Sequence, residues 1–264
     1  METIEQQYLD DLRFFNKTLK AMKGVVSLPD DQMAILDGIL LKFFYHAGTI
    51  FELYKGTKID ELGAYYWDSS SAAVIVRAAA ETFSVFNYLF AEPKNEDETE
   101  YRFCQFRLST LLFRSHSSRT DEEAKKKLIA EAEEIAKIKK RIAETQTYLG
   151  LDEKRQRKAL KGKEVPQKTE LLKRVFARLP QNFTERFYSY LSEYAHTGHS
   201  SVFQPLDMDT KDKQIEFYHS FMNFMRPLMF YMVMALIMQF PALEDDPTIK
   251  SEIHRRLPER SDYP

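Results

Sequence analysis

Residues 72–90 read AAVIVRAAAETFSVFNYLF and carry apolar side chains on nearly every face of a helix. A helix that is apolar all round is buried at the centre of a domain. Asp68 and the serines at 69–71 supply N-cap candidates in front of this stretch, and Pro93 ends it. The sequence therefore predicts a central helix with other helices packed around it.

The chain on both sides of this stretch also has helical periodicity. Residues 3–23 carry apolar side chains at i, i+4 and i+7 before Gly24, and Pro29 opens a second helix that Gly56 ends. Further helices are predicted near residues 97–115, 169–178, 183–196, 210–239 and 247–256. The fold class we predict is all-α, a multi-helix bundle with a charged helical insertion.

The composition agrees with this class and excludes others. The 264 residues include 8 glycines and one cysteine, Cys104. These counts argue against a turn-dense β fold, a glycine-rich phosphate loop, a disulfide framework and a cysteine-rich zinc site. The 38 basic and 40 acidic residues nearly balance, which excludes a globally basic nucleic-acid binder and a highly charged disordered chain. No cofactor and no bound metal are predicted.

A highly charged segment divides the predicted core. Thr120 and Glu123 form a T-x-x-E capping box, and a glycine-free helix is predicted from there to about Tyr148. Its thin apolar stripe consists of Leu128, Ile135, Ile138 and Ile142. We interpret residues 119–165 as a helical hairpin or insertion, with residues 1–118 and 166–264 forming the two halves of one core.

The end of this segment is basic. Its positive side chains are Lys154, Arg155, Arg157, Lys158, Lys161 and Lys163. Such a cluster favours an anionic partner such as RNA, although a solvated surface helix has the same composition. The basic stretch contains no aromatic residue on which a base could stack.

The longest apolar run, Phe221 to Phe240, raises the question of a membrane. Asn223, Arg226 and Pro227 interrupt it, and the uninterrupted part is shorter than the ~20 residues that span a bilayer. A buried bundle helix is the preferred interpretation, and contact with a membrane is the alternative. The first residues lack the basic and apolar regions of a signal peptide, so we expect a cytoplasmic protein.

Two short patterns carry the candidate chemistry. Arg77 and Glu81 are the formal charges of the central helix, and their i, i+4 spacing lets them touch. We expect either a buried structural ion pair or a polar pocket in which Arg77 holds an anion. Late in the chain, Ser192, His196 and His199 gather hydroxyl and imidazole groups at the end of a helix, where acid–base chemistry near neutral pH is feasible.

A metal centre is a weaker alternative for the same histidines. Glu193-x-x-His196 and Glu216-x-x-His219 are both E-x-x-H patterns of the kind that build di-iron sites in helical bundles, with Glu81 and Glu52 as further ligands. Only a short connection separates the two patterns, which does not match the helix order of four-helix di-iron proteins.

The patterns Arg77-Ala-Ala-Ala-Glu81 and Ser192-Glu-Tyr-Ala-His196 carry a resemblance. The chain resembles a group of uncharacterised bacterial all-helical proteins with R-x-x-x-E and S-x-x-x-H motifs, and more distantly is similar to the HEPN superfamily of helical bundles. Many HEPN proteins are metal-independent ribonucleases of toxin–antitoxin systems and phage defence, and such domains commonly form homodimers. The resemblance implies His196 as general base on a ribose 2′-hydroxyl and Arg77 near the phosphate.

The chain departs from the HEPN pattern in one respect. Active HEPN nucleases carry R-x(4–6)-H, and no histidine of this chain has an arginine at that spacing. A ribonuclease or RNA-binding protein, a non-catalytic interaction bundle and a metal-dependent enzyme therefore stay open. For a shared site we predict that Arg77 or Glu81 lies within about 8 Å of the His196 ring, the reach of one bridging water.

Overall fold

The computed structural model describes residues 2–115, 122–176, 185–196, 198–208 and 210–256. Thr120 of the predicted capping box lies outside these residues. The described chain is almost entirely helical, which confirms the all-α prediction. The helices of its first half are α1 (Ile4–Met22), α2 (Asp30–Tyr54), α3 (Ser69–Phe86), α4 (Glu96–Ser115), α5 (Glu122–Glu144) and α6 (Gln146–Leu149). Those of the second half are α7 (Glu153–Ala159), α8 (Lys168–Phe176), α9 (Glu185–Ala195), α10 (His199–Asp207), α11 (Lys211–Gln239) and α12 (Pro247–Arg256).

Three elements were not expected. Between α2 and α3, where no regular element was predicted, the chain forms a small antiparallel hairpin in which β1 (Thr57–Ile59) pairs with β2 (Ala64–Tyr66). A π-helical turn, Asn87–Ala91, continues α3. Helix α10 is the third, in a stretch for which no helix was predicted.

The chain divides into two compact units. The first consists of Met1–Phe86 and Leu172–Pro264, and the second of Asn87–Leu171. The second unit contains the predicted charged segment 119–165 and also takes in α4, which the sequence had placed with the N-terminal helices.

Helix α3 lies at the centre of the first unit. It packs against α2, α9 and α11, and Asp68 caps its N-terminus by accepting a hydrogen bond from the backbone N–H of Ser71 at 2.9 Å. Its fully buried residues are Ala72, Ala73, Val76, Ala79, Ala80 and Phe86. The predicted central helix is therefore confirmed, with one correction: Val74 is exposed, so α3 is not covered on every side.

A charged cluster joins α1, α11 and α12 on the same unit. The buried carboxylate of Asp11 accepts a hydrogen bond from Arg226 Nε at 2.7 Å and another from Arg256 Nη1. Arg226 belongs to the apolar run that raised the membrane question, and this ion pair explains how its charge is accommodated. Asp11 thus links the first helix of the unit to its last two.

The second unit is built on α4 and α5. Its core consists of Tyr101, Cys104, Leu108, Leu111, Ile138, Ile142 and Ala159. Ile138 and Ile142 belong to the stripe predicted for α5, and their partner is α4 of the same unit. Arg141 reinforces the pair by donating to Glu100 at 2.7 Å.

We predict that replacing Asp11 with alanine lowers the free energy of unfolding by about 3–5 kcal/mol, because it leaves Arg226 without its carboxylate partner and takes from Arg256 the most buried of its three carboxylate partners. Urea denaturation monitored by circular dichroism measures this loss. Asp37→Ala is the matched control, since Asp37 is exposed on α2 and its loss is expected to stay within about 0.5 kcal/mol. Equal stability of the two variants would contradict this role for Asp11.

Candidate functional site

Arg77 stands between Glu81 and His196 in the first unit. Its Nε donates to Glu81 Oε1 at 3.2 Å, and its Nη1 lies 3.4 Å from Nε2 of His196. The contact exists because α3, which carries Arg77, packs against α9, which ends just before His196. The predicted proximity of these side chains is confirmed.

The chemistry of the two groups fixes the direction of this contact. A guanidinium group can only donate hydrogen bonds. The Arg77–His196 contact is therefore a hydrogen bond only when Nε2 of His196 carries a lone pair and the ring proton is on Nδ1. An imidazole in this form offers a proton acceptor at Nε2 as soon as the arginine is drawn elsewhere.

The site is open to solvent. The side chains of Arg77 and Glu81 are each 20% exposed, and His196 is exposed. The two expectations for this pair were a buried structural ion pair and a polar pocket, and its side chains are half-buried. The Arg77 side chain is therefore partly accessible to water.

The end of α9 positions His196. The backbone N–H of His196 donates to the carbonyl of Ser192 at 3.1 Å, and that of Gly198 donates to the carbonyl of Glu193 at 2.7 Å. A Cβ atom at Gly198 would lie 3.0 Å from the Glu193 side chain, so only glycine fits this turn without displacing it. Ser192 is half-buried one turn before His196, on the predicted helix.

His199 takes part in a different contact. It is the first residue of α10, and its ring stacks on Phe203 with centroids 4.5 Å apart. Within the part of the chain that the structure describes, no hydrogen bond joins His199 to Arg77, Glu81 or His196. The structure therefore brings together three of the five residues predicted for catalysis, with Ser192 next to them along α9.

An aromatic cluster between α9 and α11 was not predicted from the sequence. The hydroxyl groups of Tyr190 and Tyr194 lie 3.0 Å apart, and both rings contact Phe217 of α11. Burial raises the pKa of the Tyr194 phenol, and its hydrogen bond with Tyr190 adds to this effect. The sequence signal was the apolar stripe of α9, which predicted packing and not a pair of hydroxyls.

His219, the histidine of the second E-x-x-H pattern, contacts Glu5 of α1. His219 Nε2 lies 3.0 Å from Glu5 Oε1, and Tyr54 donates to the same oxygen. Hydrogen bonds from the side chains of Thr3 and Tyr54 lower the pKa of Glu5 to about 2. Among the described residues, no group of three or more His, Cys, Asp or Glu side chains could hold a metal ion.

The predicted basic residues belong to the second unit. Arg155 pairs with Glu164 at 3.0 Å, and Arg157 pairs with Glu153 at 3.0 Å. The four lysines of the set are also exposed: Lys154, Lys158, Lys161 and Lys163. Four positive side chains of the six thus face solvent without an acidic partner in the described chain.

Three described helices are long and apolar enough to cross a membrane, judged by length and composition. They are α2, the continuous segment Ser69–Ala91 and α11. Much of α11 and of Ser69–Ala91 is buried inside the protein, with 56% and 67% of their most apolar windows covered, whereas only 28% of the window in α2 is buried.

Because Arg77 and Glu81 are partly solvated, we predict that Arg77→Gln lowers the free energy of unfolding by less than about 2 kcal/mol. Phe83→Ala on the same helix removes a buried ring and should cost about 3–5 kcal/mol. Chemical denaturation of both variants measures the difference. A loss above about 3 kcal/mol in Arg77→Gln would identify the pair as a structural element of the core.

Comparison with known proteins places the chain in a family without assigning a reaction. Neither the curated proteins nor the solved structures include a match. A family model described as a family of unknown function matches residues 45–215, which contain Arg77, Glu81 and His196. The match covers more than half of the chain, and the protein therefore belongs to the family of unknown function DUF5677.

Proposed function

We propose that the protein is a HEPN-like helical protein of bacterial defence or toxin type, which acts in the cytoplasm and binds and cleaves RNA without a metal ion. The observation that carries the proposal is the open contact of Arg77 with both Glu81 and His196. A cation that can bind phosphate and an imidazole that can accept a proton are the two groups that cleavage next to a 2′-hydroxyl requires.

Each residue has a separate role in this proposal. The guanidinium of Arg77 binds a phosphodiester oxygen and so releases Nε2 of His196, while Glu81 holds the other side of the guanidinium. Nε2 then takes the proton of the ribose 2′-hydroxyl, and O2′ attacks the adjacent phosphorus. The P–O5′ bond breaks, and the leaving oxygen is protonated by water. The products are a 2′,3′-cyclic phosphate and a 5′-hydroxyl end.

The proposal does not require the missing R-x(4–6)-H spacing. That spacing supplies an arginine and a histidine from one stretch of chain. In this protein the arginine comes from α3 and the histidine from the end of α9, and they nevertheless lie 3.4 Å apart. The HEPN assignment itself is supported by the two motifs of the sequence and by the helical fold.

A second candidate function, a non-catalytic interaction bundle, is favoured by the surface of α10. Val202, Phe203 and Leu206 form an apolar stripe at helical spacing, and all three side chains are exposed. In that case the Arg77–Glu81–His196 contacts would stabilise the scaffold beside a docking helix.

Incubation of purified protein with RNA in excess EDTA distinguishes the two candidates. We expect wild-type protein to leave 2′,3′-cyclic phosphate ends, and His196→Ala to slow cleavage by at least about 100-fold, the usual contribution of a general base. His254→Ala is the matched control, because His254 is exposed on α12 and its Nδ1 contacts the carbonyl of Lys250. No cleavage by wild type, or equal cleavage by all three proteins, would contradict the proposal.

A further inference from the structure

A cavity of about 480 Å³ lies in the second unit, between α4, α5 and the turn that follows α7. Its lining residues are Ser109, Leu112, Phe113, Lys139, Leu160, Lys161, Gly162 and Lys163. Its volume is within the range of small-ligand sites, which is about 300–1,000 Å³. The lining contains three lysines and no carboxylate, so the cavity suits an anion.

The turn after α7 holds Lys161 and Lys163 in a defined backbone conformation. The backbone N–H of Gly162 donates to the carbonyl of Ala159, and that of Lys163 donates to the carbonyl of Lys158. These two bonds, with the positive φ of Gly162, form a Schellman motif. A Cβ atom at Gly162 would lie 3.0 Å from Cα of Ser109, so the turn is pressed directly onto α4.

The face of α4 beneath the turn carries an aromatic ring. Ser109 and Phe113 are four residues apart, so they lie on the same side of the helix. Phe113 is 81% exposed, and Lys139 of α5 completes the cavity from the other side. The structure thus places an accessible ring beside Lys161 and Lys163, although the basic stretch of the sequence contains no aromatic residue.

We propose that this cavity binds one nucleotide of a single-stranded nucleic acid, with its base stacked on Phe113 and its phosphates contacted by Lys139, Lys161 and Lys163. An aromatic platform flanked by cations is the arrangement that single-strand binding proteins use. Glu164, the acidic residue next to Lys163, already pairs with Arg155. This binding site lies in a different unit from Arg77 and His196, and it does not depend on the proposed cleavage.

Fluorescence anisotropy of the full chain with labelled rU12 and dT12 oligonucleotides tests the proposal. The first variant replaces Lys139, Lys161 and Lys163 by glutamine, and we expect its affinity for rU12 to fall at least about tenfold. The matched control replaces Lys126, Lys127 and Lys137 by glutamine, which removes the same charge from exposed positions of α5 outside the cavity. We expect the control to stay within about threefold of wild type.

The stacking partner is tested separately from the charge. Phe113→Leu keeps an apolar side chain without the ring and should weaken rU12 binding by at least about fivefold. Phe113→Trp keeps an aromatic ring and should bind rU12 as tightly as wild-type protein does. Because Phe113 is exposed, neither change disturbs the core. Equal binding of both oligonucleotides assigns the site to base and phosphate, and a preference for one of them adds selectivity for the 2′-hydroxyl of rU12 or for the thymine methyl group of dT12. Either result supports the proposal.

Several outcomes would overturn it. Wild-type protein that binds neither oligonucleotide, an equal loss of affinity in the two lysine variants, or unchanged binding by Phe113→Leu would each remove the site. Binding of dT12 separates the two proposals, because dT12 has no 2′-hydroxyl and cannot undergo the proposed cleavage. A protein that binds dT12 but leaves RNA intact retains the cavity function when the cleavage proposal fails.

Discussion

The packing of α3 against α2, α9 and α11 is the constraint on which the first unit depends. Its buried residues include the alanines Ala72, Ala73, Ala79 and Ala80, whose small side chains let neighbouring helices approach closely. Arg77 follows Ala73 by one helical turn, so the packing of α3 also fixes the position of Arg77. The candidate site is therefore a consequence of the core: α3 brings the arginine to the end of α9, where His196 emerges.

The balance of burial and exposure at this point determines what the three side chains can do. A fully buried ion pair would serve only to hold the core together, since a charge without its partner is costly there. Arg77 and Glu81 instead retain access to water, and His196 lies at the surface. The guanidinium contacts both Glu81 and His196, and in the proposed function a phosphate replaces its contact with His196. Asp11, in contrast, is buried between Arg226 and Arg256 and has the character of a structural charge.

The sequence could predict those features that depend on local periodicity. The central helix followed from its apolar composition, and the contact between Arg77 and Glu81 followed from their i, i+4 spacing. The proximity of His196 required the two motifs as well, because no local rule connects residues 119 positions apart. Helix α10 was not predicted, because a glycine after α9 is typical of a helix end, whereas the carbonyl of Gly198 accepts a hydrogen bond from the backbone N–H of Ser201 and begins a new helix. Phe113 could not be associated with Lys161 and Lys163, because their proximity is created by the packing of a turn onto α4.

The claim that Arg77 and His196 form one anion-accepting site is tested most directly by NMR of protein labelled with 15N at histidine. During titration with uridine 3′-monophosphate, the account predicts that the His196 Nε2 resonance of wild-type protein shifts, because phosphate draws the Arg77 guanidinium away from the ring. The same resonance should not respond in Arg77→Gln, and His254 should not respond in either protein. A His196 resonance that is unchanged in wild-type protein, or that shifts equally in both proteins, would contradict the account.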